Sequence, residues 1–188
     1  GTHLAPHHPA YVDLTDLSDH DPEASRAALE EAGHGDGLTL SLKLPPPSYA
    51  RRGGEIIAAQ LRAVGIETEI ENLEWAQWLE QVFRGKDFDL TIVSHTEPMD
   101  INIYARPDYY FQYDNPEFRQ LMEDLDLATE EDARTRILQE AQRMIAEDHV
   151  NGYLFQLART GVADARIEGL WENAPTQAND LTGVRWTE

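Results

Sequence analysis

Leu38-Thr-Leu-Ser-Leu-Lys-Leu44 alternates apolar and polar residues without a break, and this run governs what the chain can fold into. Successive side chains of an extended strand point to opposite faces, so the pattern predicts a strand with one buried face. Pro45-Pro-Pro47 ends it, and Ser48 then caps a helix whose face carries Ile57, Leu61 and Val64 and which Gly65 terminates. Ile66, Thr68 and Ile70 alternate with Glu67, Glu69 and Glu71, which predicts a second strand with an acidic solvent face. Strand, helix and strand at this spacing require a right-handed crossover and a largely parallel sheet.

The flanking sequence extends the pattern. Asp21-Pro22-Glu23 sets an acid at a cap, a proline at the first helical position and an acid in the first turn, and Gly33 stops that helix. Trp75, Trp78, Leu79 and Val82 follow helical spacing up to Gly85, with Trp78 expected in the core, and Phe88–Ser94 reads as a buried strand. Asn115-Pro116-Glu117 repeats the cap signature ahead of Phe118, Leu121, Met122 and Leu125. Thr129-Glu-Glu-Asp132 has the form of a capping box before a long helix lined by Ile137, Ala141, Met144 and Ile145. Gly53-Gly54 lies inside a helix start at a cost of about 1 kcal/mol each relative to alanine, which marks that end as frayed or closely packed. Gly152–Leu157 reads as a late strand, and the text beyond Ile167 is irregular. The expected fold is α/β, three layers around a mostly parallel mixed sheet. Residues 1–20, without amphipathic period, are expected as an extended arm, with His3, His7 and His8 as linker sequence.

Composition removes several functions. A net charge of −20, from 35 acids against 15 bases, argues against nucleic acid and against an anionic membrane surface. The absence of cysteine excludes disulfides and thiolate zinc sites. No apolar run approaches the roughly 20 residues of a membrane span. No nucleophile–base signature or phosphate-cradling glycine loop is present, so binding is expected rather than catalysis, with no cofactor.

Candidate chemistry gathers after the Phe88–Ser94 strand, because ligands of α/β folds sit beyond the carboxyl ends of strands. His95, Thr96, Glu97, Asp100, Tyr104 and Tyr109 are the candidate ligand residues. Asp100, with Glu97 second, offers a charge-assisted bond to an ammonium group. Turn acids satisfied by local amides are the plainer alternative. His95, Glu97 and Asp100 also suggest a metal site or an acid–base hydrolase, the latter requiring a base within reach of a nucleophile or water. The tyrosines either stack on a ligand or pack beneath the loop.

Asp21-Pro-Glu-Ala…Ala28-Leu-Glu-Glu-Ala-Gly33, followed by Gly35-Asp-Gly-Leu-Thr-Leu40, resembles the entry to the C-terminal lobe of solute-binding proteins of the oligopeptide, dipeptide and nickel ABC importers. The likeness continues through Gln60-Leu-Arg-Ala-Val-Gly-Ile66, Gly85-Lys-Asp-Phe-Asp-Leu90, Tyr113-Asp-Asn-Pro116 and Gln139-Glu-Ala-Gln142…Ile145-Ala-Glu-Asp148. It implies a periplasmic-binding-protein type II fold, in which residues 21–165 form a C-terminal lobe and 166–188 return toward an N-terminal lobe that is missing from this sequence. It implies a peptide or other small organic solute held between lobes, ABC permease subunits as partners, and a periplasmic or extracellular location with the signal peptide outside this sequence. A metal or metal chelate is the alternative cargo within the family. In peptide-binding members an acid of this loop pairs with the ligand's amino terminus, and Glu97 and Asp100 occupy that region.

Overall fold

The computed structural model describes residues 1–95, 99–158, 160–172 and 180–187. Helix α1 (Pro22–Glu31) starts as expected: the Asp21 carboxylate accepts from the amides of Glu23 and Ala24. Strand β1 (Leu38–Leu44) leads into α2 (Ser48–Arg62) and β2 (Ile66–Asn72). β1 and β2 pair in parallel from Leu38 opposite Ile66 to Leu44 opposite Asn72. A short β3 (Leu90–Thr91) joins the other side of β1, also in parallel, giving the order β2-β1-β3.

Both faces of this sheet are covered, so β1 buries more than one face. Leu42 and Leu44 pack with Ala50 of α2 and with Ile92. On the opposite face Lys43 is also buried, and its ammonium donates to Gln81 Oε1 at 3.1 Å and Asp87 Oδ2 at 2.8 Å. The covering segment is a short α3 (Trp75–Trp78) continued by one π-helical stretch, Leu79–Arg84. It buries Trp78 and Val82 against Leu73 and Tyr110. Helices α4 (Pro116–Leu127) and α5 (Glu131–Glu147) form a second core around Phe118, Met122, Leu138 and Ile145. Asn115 caps α4 by accepting from the amides of Glu117 and Phe118.

The Gly53-Gly54 pair resolves as close packing. α2 buries Ala50, Gly54 and Ala58, a small-residue stripe, while Ile57 and Leu61 are only half-buried. A β-carbon placed on Gly54 would fall on the fully buried side chain of Leu44. Gly54→Ala is therefore expected to destabilise the protein by about 1–3 kcal/mol through overpacking, although alanine is the better helix former. Urea denaturation measures it; a stabilised variant would mean that Leu44 moves aside freely.

Several expectations change. Only Leu90–Thr91 of the expected Phe88–Ser94 strand pairs, because side chains hold its ends: Asp89 accepts from the amide and hydroxyl of Ser41, each at 2.8 Å, and the Ser94 amide donates to the Tyr49 hydroxyl at 2.9 Å. Gly152–Leu157 has no ladder partner among the described residues and is not a strand; Leu154, Phe155 and Leu157 are exposed. Pro47 and Glu130 occupy the caps of α2 and α5 without side-chain bonds, so neither Ser48 nor Thr129 caps its helix. Ile70 of β2 is exposed. Residues 1–14 are not a loose arm: Thr2, Leu4, Ala10 and Leu14 are buried, and Leu4 and Ala10 enter the α4–α5 core. Near the carboxyl end, β4 (Ile167–Glu168) pairs antiparallel with β5 (Arg185–Trp186). No helix among the described residues is long and apolar enough to cross a membrane.

Candidate functional site

Beyond β3 the chain leaves the sheet through Val93, Ser94 and His95. The Asp100 carbonyl accepts from the Ile103 amide at 2.9 Å and opens a 3₁₀ turn, Ile101–Ala105. Residues three apart eclipse in such a turn. Ile101 and Tyr104 therefore share a side, and with Ile103 they bury into the α4–α5 core, which anchors the loop. A second pair of turns, with Tyr109 bonded to Arg106 and Gln112 to Tyr109, brings Tyr109, Tyr110 and Phe111 back toward α3.

Between these pieces lies an open cleft of about 440 Å³. Trp78, Leu79 and Phe83 form one wall, Tyr109 and Tyr110 another, and Val93, Ser94, His95, Asp100, Asn102, Ile103 and Arg106 complete the lining. The aromatic rings brace one another: Trp78 meets Tyr110 edge-on at 5.7 Å and Phe83 meets Tyr109 edge-on at 5.6 Å. Trp78 Nε1 donates to Thr91 Oγ1 at 3.0 Å, which ties this wall to β3.

Asp100 supplies a carboxylate to the cleft lining, which also holds the Arg106 guanidinium, and its side chain is 15% exposed. His3 Nε2 lies 2.7 Å from Oδ1, and His95 Nδ1 lies 3.2 Å from Oδ2. Burial pulls the carboxyl pKa upward, but the hydrogen bonds and charge of His3 and His95 outweigh it and hold the group well below the ordinary carboxylate range. The His95 ring is stacked parallel to Tyr110, with Nε2 3.4 Å from the Tyr110 hydroxyl. Burial raises that phenol's pKa, followed by the effects of Tyr109 and Asp100, so it serves as a hydrogen-bonding group and not as a nucleophile.

Of the residues singled out from the sequence, the structure brings His95, Asp100 and Tyr109 to the cleft. Thr96 and Glu97 lie outside the described residues. Tyr104 stands apart from the lining, buried at 3% exposure, with its hydroxyl accepting from Asn151 Nδ2 at 2.6 Å. Burial, reinforced by Tyr153, drives its pKa far above the ordinary phenol value. Arg106 and Asn102 join the site without any signal in the sequence pattern, and Trp78 serves both core and cleft wall. Among the described residues, no group of three or more histidine or acidic side chains is arranged to hold a metal ion. The arrangement supplies a carboxylate, an imidazole, a guanidinium and apolar ring faces to one open cavity, which is the equipment for recognising a small polar solute.

No curated protein matches the chain in sequence. Solved structures do share its fold. A dipeptide-binding protein from Pseudoalteromonas sp. SM9913, in complex with Met-Leu, matches 99% of this chain and 39% of its own at 22% identity and a TM-score of 0.75. The periplasmic binding protein DppA of Helicobacter pylori, in complex with the peptide STSA, covers 78% of this chain and 31% of its own at 18% identity and a TM-score of 0.68. A nickel ABC transporter protein from Bacillus halodurans covers 80% and 36% at 18% identity and a TM-score of 0.63. The chain thus spans well under half the length of each of these relatives. The model of the bacterial extracellular solute-binding proteins, family 5, matches residues 1–117, a span that takes in the amino-terminal segment, β1, β2, the cleft loop and the start of α4. By that match the chain belongs to the family 5 extracellular solute-binding proteins of bacteria.

Proposed function

We propose that this chain is the C-terminal lobe of a two-lobed receptor of an ABC importer, outside the cytoplasmic membrane, which captures a peptide or another small organic solute bearing a cationic group and presents it to the membrane permease. The carrying observation is the place and state of Asp100: an ionised carboxylate at the floor of an aromatic-walled cleft just beyond the carboxyl end of β3. Such a group favours an ammonium, and the ring faces of Trp78, Tyr109 and Tyr110 accept the apolar body of the same molecule. The bound Met-Leu of one structural relative and the bound tetrapeptide of another support the peptide class. A partner lobe would close the open side of the cleft, in the manner of hinged binding proteins.

Calorimetry tests this reading with Met-Leu and related dipeptides, on the isolated chain and on the two-lobed protein. The isolated chain is expected to unfold cooperatively, since buried apolar clusters form within it, yet to bind weakly, since enclosure supplies much of a small ligand's affinity. Equal dissociation constants for the two forms would defeat the two-lobe reading.

A further inference from the structure

His3 carries an inference of its own. Its side chain is only 9% exposed, although the sequence around it reads as linker. Gln142 of α5 fastens the segment on both sides of it: Oε1 accepts from the Thr2 hydroxyl at 2.9 Å, and Nε2 donates to the Ala10 carbonyl at 2.7 Å. The imidazole then stands edge-on to the Tyr104 ring, with centroids 5.3 Å apart. Its two nitrogens face different partners, Nδ1 the Tyr104 hydroxyl at 3.2 Å and Nε2 the Asp100 carboxylate at 2.7 Å.

The contact with the carboxylate places one proton. Asn151 Nδ2 donates to the Tyr104 oxygen, and that hydroxyl lies beside two further groups, His3 Nδ1 at 3.2 Å and the Tyr153 hydroxyl at 3.4 Å. An ionised carboxylate only accepts, so Nε2 carries the hydrogen that Asp100 Oδ1 receives. Such a hydrogen bond fixes the carboxylate in its ionised form. Oδ1 is taken by His3, and Oδ2, 3.2 Å from His95 Nδ1, retains a lone pair for a further donor.

We propose that His3 is the positioning residue of the binding cleft: through the Asn151–Tyr104–His3 chain it aims an ionised Asp100 at the solute and thereby selects solutes with a cationic group. This rests on the solute-binding reading above.

Two measurements on the intact protein test it. Imidazole nitrogen NMR is expected to show His3 Nε2 carrying a fixed hydrogen at neutral pH; an Nε2 without a hydrogen, or one that averages rapidly between states, overturns the proposal. Calorimetry then compares alanyl-leucine with its N-acetyl form. His3→Ala is expected to weaken the free dipeptide about tenfold or more while leaving the N-acetyl form unchanged, as for loss of a bond to a charged group. His3→Gln, whose amide nitrogen reaches the position of Nε2, should recover most of that loss. Equal losses for both dipeptides overturn the proposal in favour of general damage to the cleft wall. Loss in Asp100→Asn without loss in His3→Ala overturns the positioning role and leaves the solute reading intact. If the unaltered protein binds neither dipeptide, the dipeptide reading fails and the state of Nε2 decides the role of His3 alone.

Discussion

Trp78→Ala is expected to lower stability by about 3–5 kcal/mol, the range for deleting a large buried ring. The indole is 4% exposed and packs with Leu73, Val82 and Tyr110. Its Nε1 donates to Thr91 Oγ1, and the Thr91 hydroxyl in turn donates to the Lys43 carbonyl at 2.7 Å, so one side chain links the covering helix to β3 and β1. Removing the ring opens a cavity and leaves Thr91 without its donor. Trp78→Phe keeps part of the packing and loses the hydrogen bond, for an expected cost nearer about 1–3 kcal/mol. Chemical denaturation of both variants measures these losses. A neutral effect on stability combined with abolished solute binding would assign Trp78 to the cleft alone.

Asp100→Asn is expected to cost about 2–5 kcal/mol of solute affinity, as for breaking a buried charge pair. From sequence alone this change should leave folding untouched, since the acid would meet its partner only in the complex. The structure corrects that: His3 and His95 engage both carboxylate oxygens within the fold, so the variant should also lose stability. The sign with pH follows from the depressed carboxyl pKa. A group whose folded pKa lies below its unfolded value, about 3.9, stabilises fully above that value and loses its contribution as pH falls through the folded one. The gap in urea midpoint between wild type and variant should thus persist at neutral pH and close below about pH 4. Unchanged affinity in Asp100→Asn would remove this acid from recognition.

The helices and the β1–β2 pair were readable because their signals are local. Asp21-Pro22 and Asn115-Pro116 announce helix starts through capping chemistry that needs no tertiary partner, and the Leu38–Leu44 run forms the expected strand over its full length. The failures have a common origin in contacts distant along the chain. Lys43 reads as a solvent-facing residue until Gln81 and Asp87 cover it. The Phe88–Ser94 run has the composition of a strand, yet Ser41 and Tyr49 take bonds that a neighbouring strand would otherwise make. At the site, Asp100 and His95 were visible because a loop acid after a strand is a local pattern. His3 was not, since its role depends on residues 97 and 101 positions away. Its burial follows from Gln142 and Leu4, which hold the first residues against α5.

The crystal structure of the two-lobed protein with solute bound tests the central claim most directly. The solute is predicted to lie against Tyr109 and Tyr110, with its cationic atom within hydrogen-bond reach of the Asp100 carboxylate. Solute density elsewhere, with the Asp100 cleft empty, would contradict it.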